Sequence, residues 1–400
     1  MLPRGFGVLP LRGHGQSYPR RGNGKAKRER TLHRGREVLP RLVAARSDTG
    51  TASFQVEMKR ILRSILASQY CAPLWYPLAR GRVSIFTLHR FAVPDLGVSG
   101  HDPAVLEATL VRLRRGGYKL LSLTQVLEGL QNPSQLTGRD VAFTVDDGYA
   151  DFGLVGAGIF LANDCPVTVF LTTGFVDGRL WQWWDQVEFV LLNAEKPEVE
   201  VTVGERMVTI RLGDSAQRQS ETHRLWALFK QIPDTEKWAG ISHLAAAAGV
   251  EIPAQAPPQY APMSWDEVRA LEACAVTFGP HTDSHPILPQ TTDAVSHHQI
   301  SHSWGILQNR LESPVPILAY PNGWASHREF ENVRRCGLSA GLTTEPEYAT
   351  SRAFLTSPDG RFSIPRFGYP EEPERVRLIT SGFHRIRRIM RGTGPGDFVE

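Results

Sequence analysis

The chain has 400 residues, 41% of them hydrophobic, and a formal net charge of +4 from 45 Lys+Arg and 41 Asp+Glu. That length accommodates one large α/β domain with an insertion, or two domains, and the apolar fraction supports a full core. Residues 1–50 hold 12 Lys+Arg against 3 Asp+Glu, a net of +9, so the other 350 residues carry −5 of the total; the body of the chain is therefore excluded as a basic nucleic-acid-binding module.

In chain order, residues 1–50 are rich in Arg and Gly, have no sustained apolar period and read as a disordered, solvated basic tail. They lack the roughly 7–15-residue apolar core of a secretory signal. Residues 54–69 place apolar side chains at helical spacing opposite Lys59, Arg60 and Arg63, so 51–80 is predicted to contain an amphipathic leader helix. Residues 83–90 read as a buried strand, 103–117 as a helix ended by Gly116-Gly117, and a helix is predicted to end near Leu130. "VAFTV" (141–145) and "PVTVFLTT" (166–173) are continuous apolar strands of the kind buried on both faces of a parallel sheet.

The rhythm breaks at 181. A Trp-rich helix, a hairpin turning at Gly204-Glu205, two helices and a proline-rich linker make 181–262 an insertion. Ser264 with Glu267 three positions on is a capping box opening the next helix. Strands at 275–279, 316–323 and 339–344 then alternate with helices at 291–312 and 327–336, which argues for a parallel sheet or barrel over 81–370. Residues 371–400 hold a basic amphipathic helix, 374–392, predicted to pack on the barrel, with peripheral association with an anionic membrane as its alternative. No run reaches the roughly 18 apolar residues of a membrane helix. Cys71, Cys165, Cys274 and Cys336 form no C-x-x-C; Cys165 and Cys274 read as reduced core residues, which fits a cytoplasmic location.

Two constellations carry chemistry. "VAFTVDDGY" (141–149) ends a buried strand on two adjacent carboxylates, Asp146 and Asp147. "HTDSHP" (281–286) follows another apolar strand and sets His281 and His285 four residues apart. Imidazole nitrogen is the commonest ligand for zinc-like ions. Two His and one carboxylate leave an open coordination position, the arrangement of a catalytic rather than a structural site. His297, His298 and His302 read as the polar face of a helix.

"FTVDDGY", "HTDSHP" and "LAYPNG" (318–323) resemble, in order and context, the three motifs of the polysaccharide deacetylases, the NodB-homology superfamily (carbohydrate esterase family 4). "MSWDEVRALE" and "WQWWD" resemble its exopolysaccharide-biosynthesis branch. The resemblance covers about residues 83–370 and implies a distorted, incomplete (β/α) barrel with an inserted α+β subdomain. It implies Asp147, His281 and His285 as ligands of a divalent metal, Zn first with Co, Ni or Mn as alternatives, Asp146 as general base and the Tyr149 N–H as oxyanion donor. Tyr320, Pro321, Asn322 and Trp324 are the candidate substrate contacts; Trp183, Trp184 and Trp324 read first as core packing, with sugar stacking as the alternative.

The Arg that many members place before the third motif is missing, and Arg366 in "SIPRFGYP" is the substitute candidate. The late Leu-x-x-His is missing too; His89, at the end of the first strand, is preferred to His384 as the extra polar group. The implied activity is metal-dependent removal of N-acetyl groups from amino sugars of a polysaccharide or lipid-linked glycan. Its alternatives are a sugar deformylase or O-deacetylase and a catalytically silent glycan-binding protein. The expected partner is the acetylated glycan, and no nucleic acid is expected.

Overall fold

The structure, a computed structural model, describes residues 81–383 continuously, together with Met58, Ile65 and Cys71. The predicted basic tail, the rest of the leader helix and the chain beyond 383, including His384, lie outside the described residues.

Strand β1 (Arg82–Leu88) leads through α1 (Pro103–Arg115), the short β2 (Lys119–Leu120) and α2 (Leu123–Gln131) to β3 (Asp140–Val145). A π-helical turn and α3 (Ala157–Ala162) return the chain to β4 (Val167–Leu171), followed by α4 (Thr173–Val176). Then come α5 (Trp183–Asn193), β5 (Glu198–Val203), β6 (Arg206–Arg211), α6 (Ser215–Phe229) and α7 (Asp234–Ala248). After α8 (Trp265–Ala273) follow β7 (Thr277–Pro280), α9 (Asp293–Arg310), β8 (Ile317–Ala319), α10 (His327–Arg335) and β9 (Ala340–Leu342). The described chain closes with β10 (Ala349–Thr350), α11 (Ser351–Thr356), β11 (Phe367–Gly368) and α12 (Pro373–Thr380).

The central sheet runs β10-β1-β3-β4-β7, with β2 added on β3 and β11 on β1. All its pairings are parallel except β1 with β10. A parallel pair β8–β9 continues the wall, tied to β7 through Val315 N–H donating to the Phe278 carbonyl at 2.8 Å. The result is an incomplete α/β barrel. Its strands are buried on both faces: Phe86, Leu88, Phe143, Val145, Val167 and Val169 enter one apolar cluster, while Val83, Ile85, Ala142 and Phe170 enter another. This two-sided burial is why these strands read as unbroken apolar runs.

Register positions the site. Leu88 pairs with Val145 and Leu171 with Pro280, so the residues after β1, β3, β4 and β7 emerge together at the carboxyl edge. Parallel α/β sheets place ligands there.

Residues 183–248 enclose a separate apolar cluster that includes Trp183, Val187, Val201, Ile210, Leu225, Phe229 and Leu244. Strand β5 alternates exposed and buried residues, the single-sided pattern of a hairpin, and its two-residue turn has Gly204 at φ 59°.

Ser264 caps α8 with the predicted reciprocal Glu267 bond. Two expectations are corrected. The helix predicted as continuous over 374–392 breaks after Thr380, where Gly382 turns left-handed at φ 89°; its part from 384 on lies outside the described residues. Cys274 is exposed while Cys165 is buried, because Cys274 sits at the end of α8 where the helix leaves the core. Among the described residues no helix is long and apolar enough to cross a membrane.

Candidate metal centre

Asp146 and Asp147 leave the end of β3 in opposite electrostatic settings. The Asp146 N–H donates to the Leu88 carbonyl at 2.9 Å, which anchors the turn to β1. Its carboxylate accepts from both terminal nitrogens of Arg366, each at 2.8 Å. Arg366 is fully buried, just ahead of β11, and also donates to Thr144 Oγ1 at 3.0 Å and the Thr343 carbonyl at 3.1 Å. Burial pushes the Asp146 carboxyl up, but Arg366 and then His281 outweigh it and hold it far below the usual carboxylate range.

Asp147 has no such partner. Burial, then the charges of Asp146 and Asp185, push its carboxyl well above the usual range. Its Oδ1 is buried without a hydrogen bond and lies 3.5 Å from Nε2 of both His281 and His285. Asp147, Thr282 and His285 all adopt positive φ, at 76°, 67° and 55°; such backbone concentrates where a fold over-determines a site. Gly148 follows at φ 95°, where an added Cβ would lie 2.8 Å from Leu171 Cδ2.

The histidines are prepared as lone-pair donors. His281 Nδ1 is 2.7 Å from the Ala319 carbonyl, which only accepts, so the ring proton sits on Nδ1 and Nε2 is bare. Burial lowers the basicity of His281, and burial followed by the neighbouring His281 lowers that of His285 further. Both imidazoles are therefore neutral. A bare Nε2 facing a carboxylate oxygen repels it unless a cation lies between them. Two ligand atoms at about 2.1 Å from one tetrahedral ion are about 3.4 Å apart, which fits the observed 3.5 Å. One ligand atom from each of the three residues lies within 4.8 Å of the others, and no further such group occurs among the described residues. The donor set of two imidazole nitrogens and one carboxylate suits a zinc-like divalent ion.

A cavity of about 810 Å³ opens over this centre, with His89, Asp146, Asp147, His281, His285 and Asn322 in its lining. His89 reaches the solvent of the cavity while protein surrounds it; burial lowers its basicity and the Asp146 charge partly restores it. The third motif contributes less than predicted. Tyr320 is fully buried, with its hydroxyl donating to the Phe362 carbonyl at 3.0 Å. It packs with Leu318 away from the cavity, since both lie on the same side of β8. Pro321 is buried, and Trp324, 45% exposed, lies outside the cavity lining. Asn322 and Gly323 do line it.

Further groups at the site come from α5 and from the segment after β1. The Tyr149 hydroxyl donates to Asp185 Oδ2 at 2.6 Å and accepts from Trp184 Nε1 at 2.9 Å. Arg90 lies 3.9 Å over the Tyr149 ring and pairs with Asp151 at 2.6 Å. The Trp184 ring meets His285 edge-on at 4.7 Å. Asp185, desolvated and only partly compensated by Arg90, is raised to about 7. Trp183 is almost wholly buried, at 2% exposed. Trp184, Glu188 and Leu192 recur every four residues and all line the cavity, so one face of α5 is turned to the site. Asp283, between the two histidines, has a structural role, accepting from Thr173 Oγ1 at 2.8 Å and pairing with Arg179.

Residues 229–341 match the family model described as polysaccharide deacetylase. No curated protein matches the chain. The structure is similar to the Streptococcus pyogenes deacetylase PplD in complex with acetate, at 17% identity and TM-score 0.48, covering 75% of this chain and 98% of that one. It is similar to IcaB from Ammonifex degensii, at 14% identity and TM-score 0.47, covering 75% and 97%. It is also similar to a de-N-acetylase from Aggregatibacter actinomycetemcomitans, at 13% identity and TM-score 0.45, covering 73% and 96%.

Proposed function

We propose that this chain, whose residues 229–341 match the polysaccharide deacetylase family model, is a hydrolase that removes N-acetyl groups from amino sugars of a polysaccharide or lipid-linked glycan, using a divalent metal held by Asp147, His281 and His285. The observation that carries the reading is the buried, unbonded Asp147 Oδ1 facing two neutral imidazoles at 3.5 Å. A divalent cation bound there supplies Lewis-acid polarisation of the acyl carbonyl and acidifies water.

The chain's own groups do the rest. Asp146 takes the proton of the attacking water, because its neighbour and not itself faces the cation. Arg366 fixes both carboxylate oxygens of Asp146, which secures direction and lowers basicity. The Tyr149 backbone N–H is the candidate donor to the developing oxyanion; removing one such donor typically costs about 10²–10³ in rate. The side chain of Tyr149, locked by Asp185 and Trp184, keeps that loop in place. His89, beside Asp146 in the same hollow, is the group placed to pass the proton taken up by Asp146 on to the leaving amine.

The test is metal analysis of the purified protein with acetate release from N-acetylated oligosaccharides, with and without chelator. Asp147→Asn and His285→Gln are expected to lose the metal. Asp146→Asn is expected to keep the metal and lose activity by about 100-fold or more. Formate release in preference to acetate would move the reading to deformylation. Glycan binding without metal-stimulated acyl release would replace catalysis with recognition.

A further inference from the structure

Helix α6 turns one face to the cavity. Ser215, Gln219, Thr222, His223 and Trp226 line it, and Lys230 just past the helix end continues the row. From Ser215 through Gln219, Thr222 with its neighbour His223, and Trp226 to Lys230, successive turns are three or four residues apart, the spacing of a single helical stripe. The stripe has the parts of a sugar subsite. Trp226 is half-buried and held by its Nε1, which donates to the Trp184 carbonyl at 3.0 Å. His223 lies against its ring at 5.2 Å.

Lys230 is the unusual member. Several other charged groups of the cavity have partners: Asp146 has Arg366, Arg90 has Asp151, and Glu188 accepts from the Tyr260 hydroxyl at 3.0 Å. Lys237, the next cation, pairs with Asp234 and lies 5.1 Å over Trp183. Among the described residues the Lys230 ammonium has no ion-pair or hydrogen-bond partner, although the residue is half-buried and lines the cavity. It lines the same cavity as His89, Asp146, His281 and His285. Burial, with Lys237 adding to it, weakens its hold on the proton. A partly desolvated cation regains what it lost in water when a ligand brings an anion to it.

We propose that the α6 face is a sugar subsite for an anionic glycan, with Trp226 against the sugar ring and Lys230 pairing with a carboxylate or phosphate close to the N-acetyl group. The proposal rests on the deacetylase reading and narrows its substrate to acetylated amino sugars that carry a negative charge.

The experiment uses the full chain loaded with zinc and three probes: N,N′-diacetylchitobiose, the disaccharide of N-acetylglucosamine with glucuronic acid, and N-acetylglucosamine 1-phosphate. The measurement is kcat/KM for acetate release, with calorimetric affinity for each probe. The wild type is expected to favour an anionic probe over the neutral one by about 10-fold or more, the size of one charge-assisted contact. Lys230→Met is expected to erase most of that ratio through KM, and Lys230→Glu to invert it. The better anionic probe identifies the anion as carboxylate or phosphate. An anionic-to-neutral ratio near one in the wild type, or a ratio that Lys230→Met leaves unchanged while metal content and Tm are also unchanged, overturns the proposal. If no probe yields acetate, the deacetylase reading has failed, and the calorimetric ratio and its response to Lys230→Met still decide whether the anion site exists.

Discussion

Replacing Arg366 with methionine tests the electrostatics of the site without relying on catalysis. Arg366 is fully buried. It makes two 2.8 Å bonds to Asp146, one of 3.0 Å to Thr144 and one of 3.1 Å to the Thr343 carbonyl. Methionine fills much of the volume but leaves the Asp146 charge buried and unpaired. Breaking a buried pair this way costs about 3–5 kcal/mol, or a fall in Tm of roughly 6–20 °C for a domain of this size. The loss depends on pH, with a sign that can be worked out. In the wild type the Asp146 pKa is depressed, so its stabilisation is present at neutral pH and is lost only in acid, as pH falls through that low value. In Arg366→Met, burial prevails and the Asp146 pKa rises above its unfolded value, so the variant loses stability as pH increases. The gap between the two proteins should therefore narrow from about pH 8 to about pH 5. Adding Asp146→Asn to Arg366→Met removes the stranded charge and is expected to return about 2 kcal/mol or more. Denaturant unfolding with chelator present, so that metal does not mask the effect, measures all four corners of the cycle. A single-variant loss under about 1 kcal/mol, or a double variant no more stable than Arg366→Met, refutes the reasoning.

Zinc at about 100 times its Kd should add roughly 2.7 kcal/mol to stability, read as a rise in Tm that chelator reverses and Asp147→Asn abolishes. Gly148→Ala forces a Cβ to 2.8 Å from Leu171 Cδ2 at φ 95°; a loss of about 1–3 kcal/mol together with reduced acetate release is expected from unfolding curves and kinetics. Cys274 is exposed, while Cys165 is buried with its thiol pushed up to about 12. A thiolate reagent at about pH 8 should label Cys274 in the folded protein and reach Cys165 only in denaturant, as followed by peptide mapping.

The two strongest motifs were legible because they sit directly after strands buried on both faces. An unbroken apolar run ending in Asp-Asp or followed by His-x-x-x-His fixes both the element and the edge from which the side chains emerge. The third motif was legible as a strand end but not in its side-chain directions. Tyr320 shares the outer side of β8 with Leu318, and a motif name carries no such phase information. Arg366 and Asp146 are 220 residues apart; sequence could nominate an Arg beside a late strand, but only the parallel pairing of β11 on β1 explains how it reaches β3. The contribution of 183–230 was hidden differently. Its helical spacing was visible, but an apolar stripe with interspersed polar residues does not reveal which neighbour it faces.

The adjacent carboxylates pose the physical question that organises the site. The chain supplies one buried guanidinium for two buried aspartates, and it gives both guanidinium bonds to Asp146. Another arginine beside Asp147 would have balanced the charge, yet its N–H groups would then need acceptors. The neighbouring imidazoles could accept only through their bare nitrogens, leaving no position open for an incoming group. Instead His281, with its proton held on Nδ1 by the Ala319 carbonyl, together with His285 and an unbonded carboxylate oxygen, brings three metal-ligating atoms to a common point. A compact cation with vacant coordination positions satisfies all three and still leaves room for the water and the acyl oxygen that the proposed hydrolysis requires.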